Sequence, residues 1–246
     1  KYIYNNQKSI FITGDLGYNA FENLMSSNPV RFINAGVAEQ NMIGVAAGLS
    51  SMGFEVFTYS IAPFVVFRSY EQIKIDCCIH NLPVYIIGNG GGYGYGIMGA
   101  THHSIEDISC MSSLPNMTCW IPAFDEDVSY CLSQITGQKQ PAYLRLGKGK
   151  SYANKIKISA INKIISNPKP KLTIVALGPI VHNVDKSMFN EIDFELYTII
   201  KIPFIEDLNY LIESIMISKK ILVIEEHVKR GGLGECLLSS LIENNI

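Results

Sequence analysis

The sequence predicts an α/β protein: a parallel sheet covered by helices, followed by a smaller α/β unit. Three observations lead there. Short, almost continuous apolar runs alternate with longer helix-like segments, and strands without polar alternation suit a parallel sheet buried on both faces. The alternation breaks once, over residues 147–170, and then restarts. The chain has 246 residues, 48% hydrophobic and 17% charged, enough to bury the cores of two domains.

Taken in order, strands are expected at 9–13, 31–34, 55–59, 83–88, 118–122 and 142–146, each an apolar run bounded by turn-forming or polar residues. Helices are expected between them at 38–51, 65–80, 105–112 and 125–136. Ser104 is placed to cap the third of these, with Asp107 three residues on. The stretch Gly147-Lys148-Gly149-Lys150 through Asn167-Pro168-Lys169-Pro170 reads as a linker. The expected division is therefore a first domain at 1–147, a linker at 148–170 and a second domain at 171–246. The second domain shows strands at 172–177, 194–201 and 220–225 and helices at 180–190, 207–217 and 234–243. Only three strands are evident in it, so it reads as a unit that stops early.

Composition removes several function classes. Lys and Arg number 20 against 22 Asp and Glu, with no basic run, which argues against nucleic acid as a partner. The apolar runs are too short to span a bilayer, and Lys1–Gln7 lacks a signal-peptide core. The six cysteines (77, 78, 110, 119, 131 and 236) form no CxxC pair and no zinc spacing with His. Free thiols and a cytoplasmic location are expected. Two phosphate motifs fail on inspection. No helix opens at Gly90-x-Gly92, and Leu144 stands where the P-loop pattern before Gly149-Lys150-Ser151 needs Gly.

Three segments carry candidate chemistry. In Gly36-Val37-Ala38-Glu39-Gln40-Asn41-Met42, Glu39 falls in the first turn of a helix just after a strand's carboxyl end, where open α/β sheets handle ligands. Taken alone, such an acid does no more than complement the helix dipole. The run from Gly88 to Asp107, GNGGGYGYGIMGATHHSIED, is a glycine-rich loop ending in His102 and His103. Neighbouring imidazoles on such a loop can bind a ligand and move protons near neutral pH, or be structural. No second His or Cys set is spaced to make them a metal site. The third segment, Tyr59 to Ile73, sets Phe64 and Phe67 where an aromatic can stack on a planar ring or simply fill the core.

The ordered set GVAEQNM, PF-x-x-x-RSYEQI, LPVYIIG, a glycine-rich loop and THHSIED resembles the C-terminal half of the transketolase family over nearly the whole chain. Leu114-Pro115-Asn116-Met117, Ile121-Pro122-Ala123, Val223-Ile224-Glu225-Glu226-His227 and Gly231-Gly232-Leu233-Gly234 fit the same template. The resemblance implies a thiamine-diphosphate pyrimidine-binding domain followed by the family's smaller α/β C-terminal domain. Glu39 matches the cofactor-activating glutamate, which shares a proton with the aminopyrimidine ring. Phe64 matches the aromatic that stacks on that ring, with Phe67 as the alternative and Arg68 beside them. Leu16 falls near the apolar wedge that bends the cofactor. His102 matches the family's Thr-His histidine, which touches the substrate's oxygens, and His103 stands where many members carry Gln.

Two positions depart from the pattern: Met98 replaces a frequent Asp, and Ile121 replaces the Arg that holds a sugar phosphate. An Arg fork binds phosphate through two nitrogens and Ile cannot, so Arg145 is the candidate substitute. The Gly-Asp-Gly turn that binds the diphosphate and its Mg2+ does not occur in the chain. The resemblance therefore implies a split enzyme in carbohydrate metabolism, with the diphosphate and metal held by a partner subunit of the N-terminal-half type. Two copies of this chain would pair within a heterotetramer, and a two-carbon ketol unit would pass between sugars. The alternatives are the β subunit of a 2-oxoacid dehydrogenase and a non-catalytic homologue.

Overall fold

The computed structural model describes residues 2–153, 156–189, 192–203 and 208–243. The expected helix end at Asn190, the helix start at Asp207 and the terminal residues 244–246 lie outside them. Two compact units are found, Lys1–Cys119 with Ser133–Leu146, and Trp120–Leu132 with Gly147–Ile246. Residues 120–132 thus fall with the second unit.

The strands are β1 (Ser9–Thr13), β2 (Phe32–Asn34), β3 (Glu55–Ile61), β4 (Val84–Asn89), β5 (Thr118–Trp120), β6 (Ala142–Leu146), β7 (Ile161–Ile165), β8 (Leu172–Leu177), β9 (Phe194–Ile199), β10 (Lys201–Ile202) and β11 (Ile221–Ile224). The α-helices are α1 (Tyr2–Asn5), α2 (Glu22–Ser27), α3 (Glu39–Ser51), α4 (Ala62–Phe67), α5 (Tyr70–Gln72), α6 (Asp107–Ser112), α7 (Asp125–Gln138), α8 (Asn209–Ser218) and α9 (Leu233–Glu243). None is long and apolar enough to cross a membrane.

The first unit is built on strands in the order β5-β6-β4-β3-β1-β2. The pairs β2–β1, β1–β3, β3–β4 and β4–β6 are parallel. All five residues of β1 are buried, as expected for a strand covered on both faces. Helix α3 buries Met42, Ile43, Ala46, Ala47 and Ser50. That spacing forms one stripe on a 3.6-residue period and turns Gln40, Asn41, Gly44 and Val45 outward. The register sets Thr13 opposite Tyr59 and Ser60 opposite Gly88. These residues close the strands' carboxyl ends, so the loops that follow them gather at one edge.

Three expectations about helices change. One lies in the second unit, where the segment expected as a helix at 180–190 forms two short 3-10 turns, Gly178–Asn183 and Lys186–Phe189. The segment 65–80 is not one helix but α4, α5 and a π-helical run, Ile73–Ile79. Buried Ser69 donates its hydroxyl to the Val65 carbonyl, a back-bond that competes with the helical ladder and bends it. Helix α6 starts at Asp107 with Glu106 as its cap residue. Ser104 does not cap it, because its backbone is drawn into a two-way bridge with Gly92 at 2.8 and 2.9 Å.

The second unit corrects the linker and the strand count. Its sheet runs β11-β8-β9-β7, and β7 lies inside the stretch read as a linker. Strand β7 pairs antiparallel with β9, whereas β8–β9 and β11–β8 are parallel. The sequence Ile161-Asn162-Lys163-Ile164-Ile165 hid the strand because an edge position needs no continuous apolar run. Lys163 instead pairs with buried Glu195 on β9, Nζ to Oε1 at 2.9 Å. Helices α8 and α9 bury Leu211, Leu233, Leu237 and Leu241.

Candidate active site

Glu39 enters a dry environment for local reasons. After β2 the Ala35 amide bonds to the Thr13 carbonyl at 2.9 Å, and Gly36 takes φ 73°, a turn that L side chains resist. The chain then starts α3 with Glu39 pointing toward the carboxyl end of β3. Glu39 is 3% exposed. Its Oε1 accepts a hydrogen bond from Ser60 Oγ at 3.1 Å, and its Oε2 accepts one from Arg68 Nη1 at 2.9 Å. Gly14 keeps the backbone close: a Cβ there would lie 3.4 Å from Ser60 Oγ.

Arg68 follows α4 and covers Phe64, with the guanidinium carbon 3.9 Å from the ring centroid. Phe64 meets His102 edge to face, centroids 5.2 Å apart. Tyr95 lies 5.6 Å from His102 on another side, and its hydroxyl accepts a hydrogen bond from Asn89 Nδ2 at 3.1 Å. The structure therefore joins Glu39, Arg68, Phe64 and His102 in one unbroken series of contacts. Phe67 is exposed, and Phe64, not Phe67, carries the guanidinium. Leu16 is half-buried, with its backbone turned by the Thr13 hydroxyl and its side chain in an apolar slot with Phe21, Met25 and Phe32.

The glycine-rich loop is held from beneath. Arg145 at the end of β6 is 5% exposed. Its Nε lies 3.4 Å from Asp107 Oδ2, and Nη2 donates to the Ser104 carbonyl at 3.2 Å. Tyr143 donates to the same Asp107 oxygen at 2.6 Å. Burial, with the Asp107 charge adding to it, pushes the Tyr143 phenol well above its usual range, so it stays a donor. Gly91 rests on Arg145 so closely that a Cβ would fall 1.9 Å from Nε. The chain's own groups thus take up Arg145 under the loop. Above it, His103 Nε2 donates to the Gly96 carbonyl at 2.9 Å, and His102 Nδ1 lies 2.9 Å from Thr101 Oγ1. Met98 is 53% exposed and Ile121 is 1% exposed.

Sequence reasoning missed Ser60, Tyr95, Asp107 and Tyr143. A small hydroxyl residue at a strand's carboxyl end was the available signal for Ser60. The others are visible only once β4, β6 and the loop are together. Among the described residues no cluster of three or more His, Cys, Asp or Glu is arranged to hold a metal ion.

The family model for the transketolase pyrimidine-binding domain matches residues 3–152. This chain belongs to the transketolase family. It is 30% identical over 230 residues to one of the subunits of apulose-4-phosphate transketolase from Phocaeicola vulgatus, a match covering 89% of this chain and 72% of that one. It is also 30% identical over 238 residues to 1-deoxy-D-xylulose-5-phosphate synthase of Syntrophus aciditrophicus, covering 94% of this chain but 36% of that protein. Among solved structures, a split gene transketolase in the form of an inactive beta4 tetramer aligns with a TM-score of 0.82 at 29% identity, covering 98% of this chain and 80% of that one. These relatives do not favour the 2-oxoacid dehydrogenase alternative.

Transketolase membership implies thiamine diphosphate as cofactor. The residues fit its aminopyrimidine. A buried carboxylate stands next to an aromatic face, and a flat nitrogen-bearing group, the Arg68 guanidinium, already bridges the two.

Proposed function

We propose that this chain is the pyrimidine-side half of a split transketolase-like enzyme that moves a two-carbon ketol unit between sugars or sugar derivatives. The observation that carries the reading is Glu39: a carboxylate 3% exposed, held by Ser60 and Arg68 beside Phe64 and His102. Likeness to one subunit of a transketolase made of separate chains, and to a split gene transketolase, supports the two-subunit form.

When bound, thiamine diphosphate supplies the nucleophilic carbon and the electron sink of the reaction. This chain's residues prepare for it. Glu39 shares a proton with a pyrimidine nitrogen, an exchange that a dry site strengthens. Ser60 fixes the carboxylate's orientation. Phe64 offers its face for stacking, with Arg68, Phe67 and Leu16 around the seat. His102 and His103 face the sugar's hydroxyl and carbonyl oxygens, and Thr101 and Gly96 hold their rings in place. Arg145 serves by fixing the loop that presents both histidines. The diphosphate and its Mg2+ belong to the partner's Gly-Asp-Gly domain, in a cytoplasmic heterotetramer containing two copies of this chain.

Calorimetric titration with thiamine diphosphate and Mg2+ tests the reading. The chain alone is expected to show negligible binding, and its mixture with a Gly-Asp-Gly subunit is expected to bind and to turn over ketose donors. Tight binding by this chain alone, or no binding by the mixture, would refute it.

A further inference from the structure

Arg68 makes both contacts that the proposed site reserves for a pyrimidine. One is a hydrogen bond to the buried carboxylate, Nη1 to Glu39 Oε2 at 2.9 Å. The other is a stack on Phe64, with the guanidinium carbon 3.9 Å from the ring centroid. Guanidinium is planar, delocalised and presents N–H donors to a carboxylate, so it imitates an aminopyrimidine in flatness and, in its N–H toward Glu39, the ring in its protonated form. The carboxylate has little freedom to serve both, because its other oxygen is engaged by Ser60. Arg68 itself is only loosely committed: its side chain is 47% exposed against 2% for Glu39. A long side chain on one ion pair and one ring can swing outward without disturbing the core.

We propose that Arg68 is an internal placeholder for the cofactor's aminopyrimidine, competing for the seat between Glu39 and Phe64 and so setting the affinity for the cofactor. The guanidinium keeps the buried carboxylate paired, since an uncompensated buried charge is strongly destabilising. Cofactor entry displaces it, and the aminopyrimidine takes over both contacts. The inference rests on the proposed function, because it needs the cofactor to use this seat. It differs from a role in which Arg68 stays in place and helps to hold the cofactor.

The test uses the assembled two-subunit enzyme prepared free of cofactor, with thiamine diphosphate and Mg2+ as the titrant and two readouts besides turnover. Arg68→Met keeps the stem and removes the competitor. By calorimetry it is expected to bind thiamine diphosphate about tenfold more tightly than wild type, the size expected for one half-exposed ion pair plus one cation–π contact. Its melting temperature is expected to fall in the cofactor-free enzyme and to regain the wild-type value at saturating cofactor. Arg68→Lys keeps the charge but loses the flat stack, and is expected to lie between the two. Equal or weaker cofactor binding by Arg68→Met, or a melting deficit that persists at saturation, would overturn the placeholder role while leaving the proposed function standing. Failure of the wild-type assembly to bind cofactor would overturn both.

Discussion

Arg145 and Asp107 form a buried ion pair beneath the glycine-rich loop, Nε to Oδ2 at 3.4 Å, with the side chains 6% and 0% exposed. The pair ties the end of β6 to the start of α6, and the Ser104 carbonyl and Tyr143 hydroxyl complete it. Breaking one side of such a pair strands a charge, at a cost of about 3–5 kcal/mol. Arg145→Met is expected to lose stability in that range by urea unfolding. Amide exchange is expected to rise between Gly91 and Ser104. A loss under about 1 kcal/mol with unchanged exchange would show that the pair does not hold the loop.

Gly91 gives an independent check of the same support. An added Cβ meets Arg145 Nε at 1.9 Å and Cγ at 2.4 Å, and both atoms belong to a buried side chain without room to retreat. Gly91→Ala is expected to cost about 1–3 kcal/mol through overpacking. A Gly96→Ala control meets no atom within 4 Å but sits at φ 51°, so its cost is backbone strain with Arg145 left in place. Loop exchange should separate the two.

The pH dependence of the second unit follows from Glu195 and Lys163. Burial pushes Glu195 upward, but hydrogen bonds from Lys163, Ser214, Tyr197 and the Asn167 amide outweigh it and hold the carboxyl below its usual range. Its contribution is therefore complete above the unfolded value near ~4.3 and is lost as pH falls through the lower folded value. Burial pushes Lys163 downward, but its hydrogen bonds to Tyr197 and Glu195 prevail and raise it. Its contribution is complete below about 10.4 and is lost as pH rises through the higher folded value. Stability from this pair should thus form a plateau between those limits. Glu195→Gln is expected to flatten the acid limb of a melting-temperature profile, and an unchanged acid limb would contradict the assignment.

The thiols report on the core. All six cysteines are free, with Cys77, Cys78, Cys119 and Cys131 buried and Cys110 and Cys236 partly accessible. Burial pushes the Cys78 thiol up to about 12 and Cys77 and Cys131 higher still. The thiolate is the reactive form, and burial raises Cys110 and Cys236 as well, so access decides: maleimide at about pH 7 is expected to modify only these two in the native chain. The remainder should react after denaturation. Native labelling of Cys77 or Cys131 would contradict the packing.

Much of this arrangement was legible in the sequence, for identifiable reasons. Continuous apolar runs marked β1, β3, β4, β8 and β9, because a strand buried on both faces needs apolar residues throughout. The sequence placed Glu39 in a helix's first turn just past a strand and His102 at the end of the glycine-rich loop, and both stand there in the fold. The roles proposed for them came from the family resemblance, since position alone left dipole and structural readings open. What escaped were features set by tertiary partners. Strand β7 has a polar middle because Lys163 is satisfied by Glu195 across the sheet. The break after α4 depends on which carbonyl Ser69 reaches. Arg145 reads in the sequence as a candidate phosphate-holding group at a strand end, and only the fold shows its contacts with Asp107 and the Ser104 carbonyl.

The central claim is that the Glu39 carboxylate activates a cofactor at this seat. The most direct measurement is the turnover of Glu39→Gln, assembled with the proposed partner subunit and supplied with a ketose donor and an aldose acceptor. Gln keeps the size and a hydrogen-bonding oxygen but cannot share the proton, so kcat is expected to fall by about 10²–10⁴ with the assembly still intact. Turnover at the wild-type rate would contradict the account.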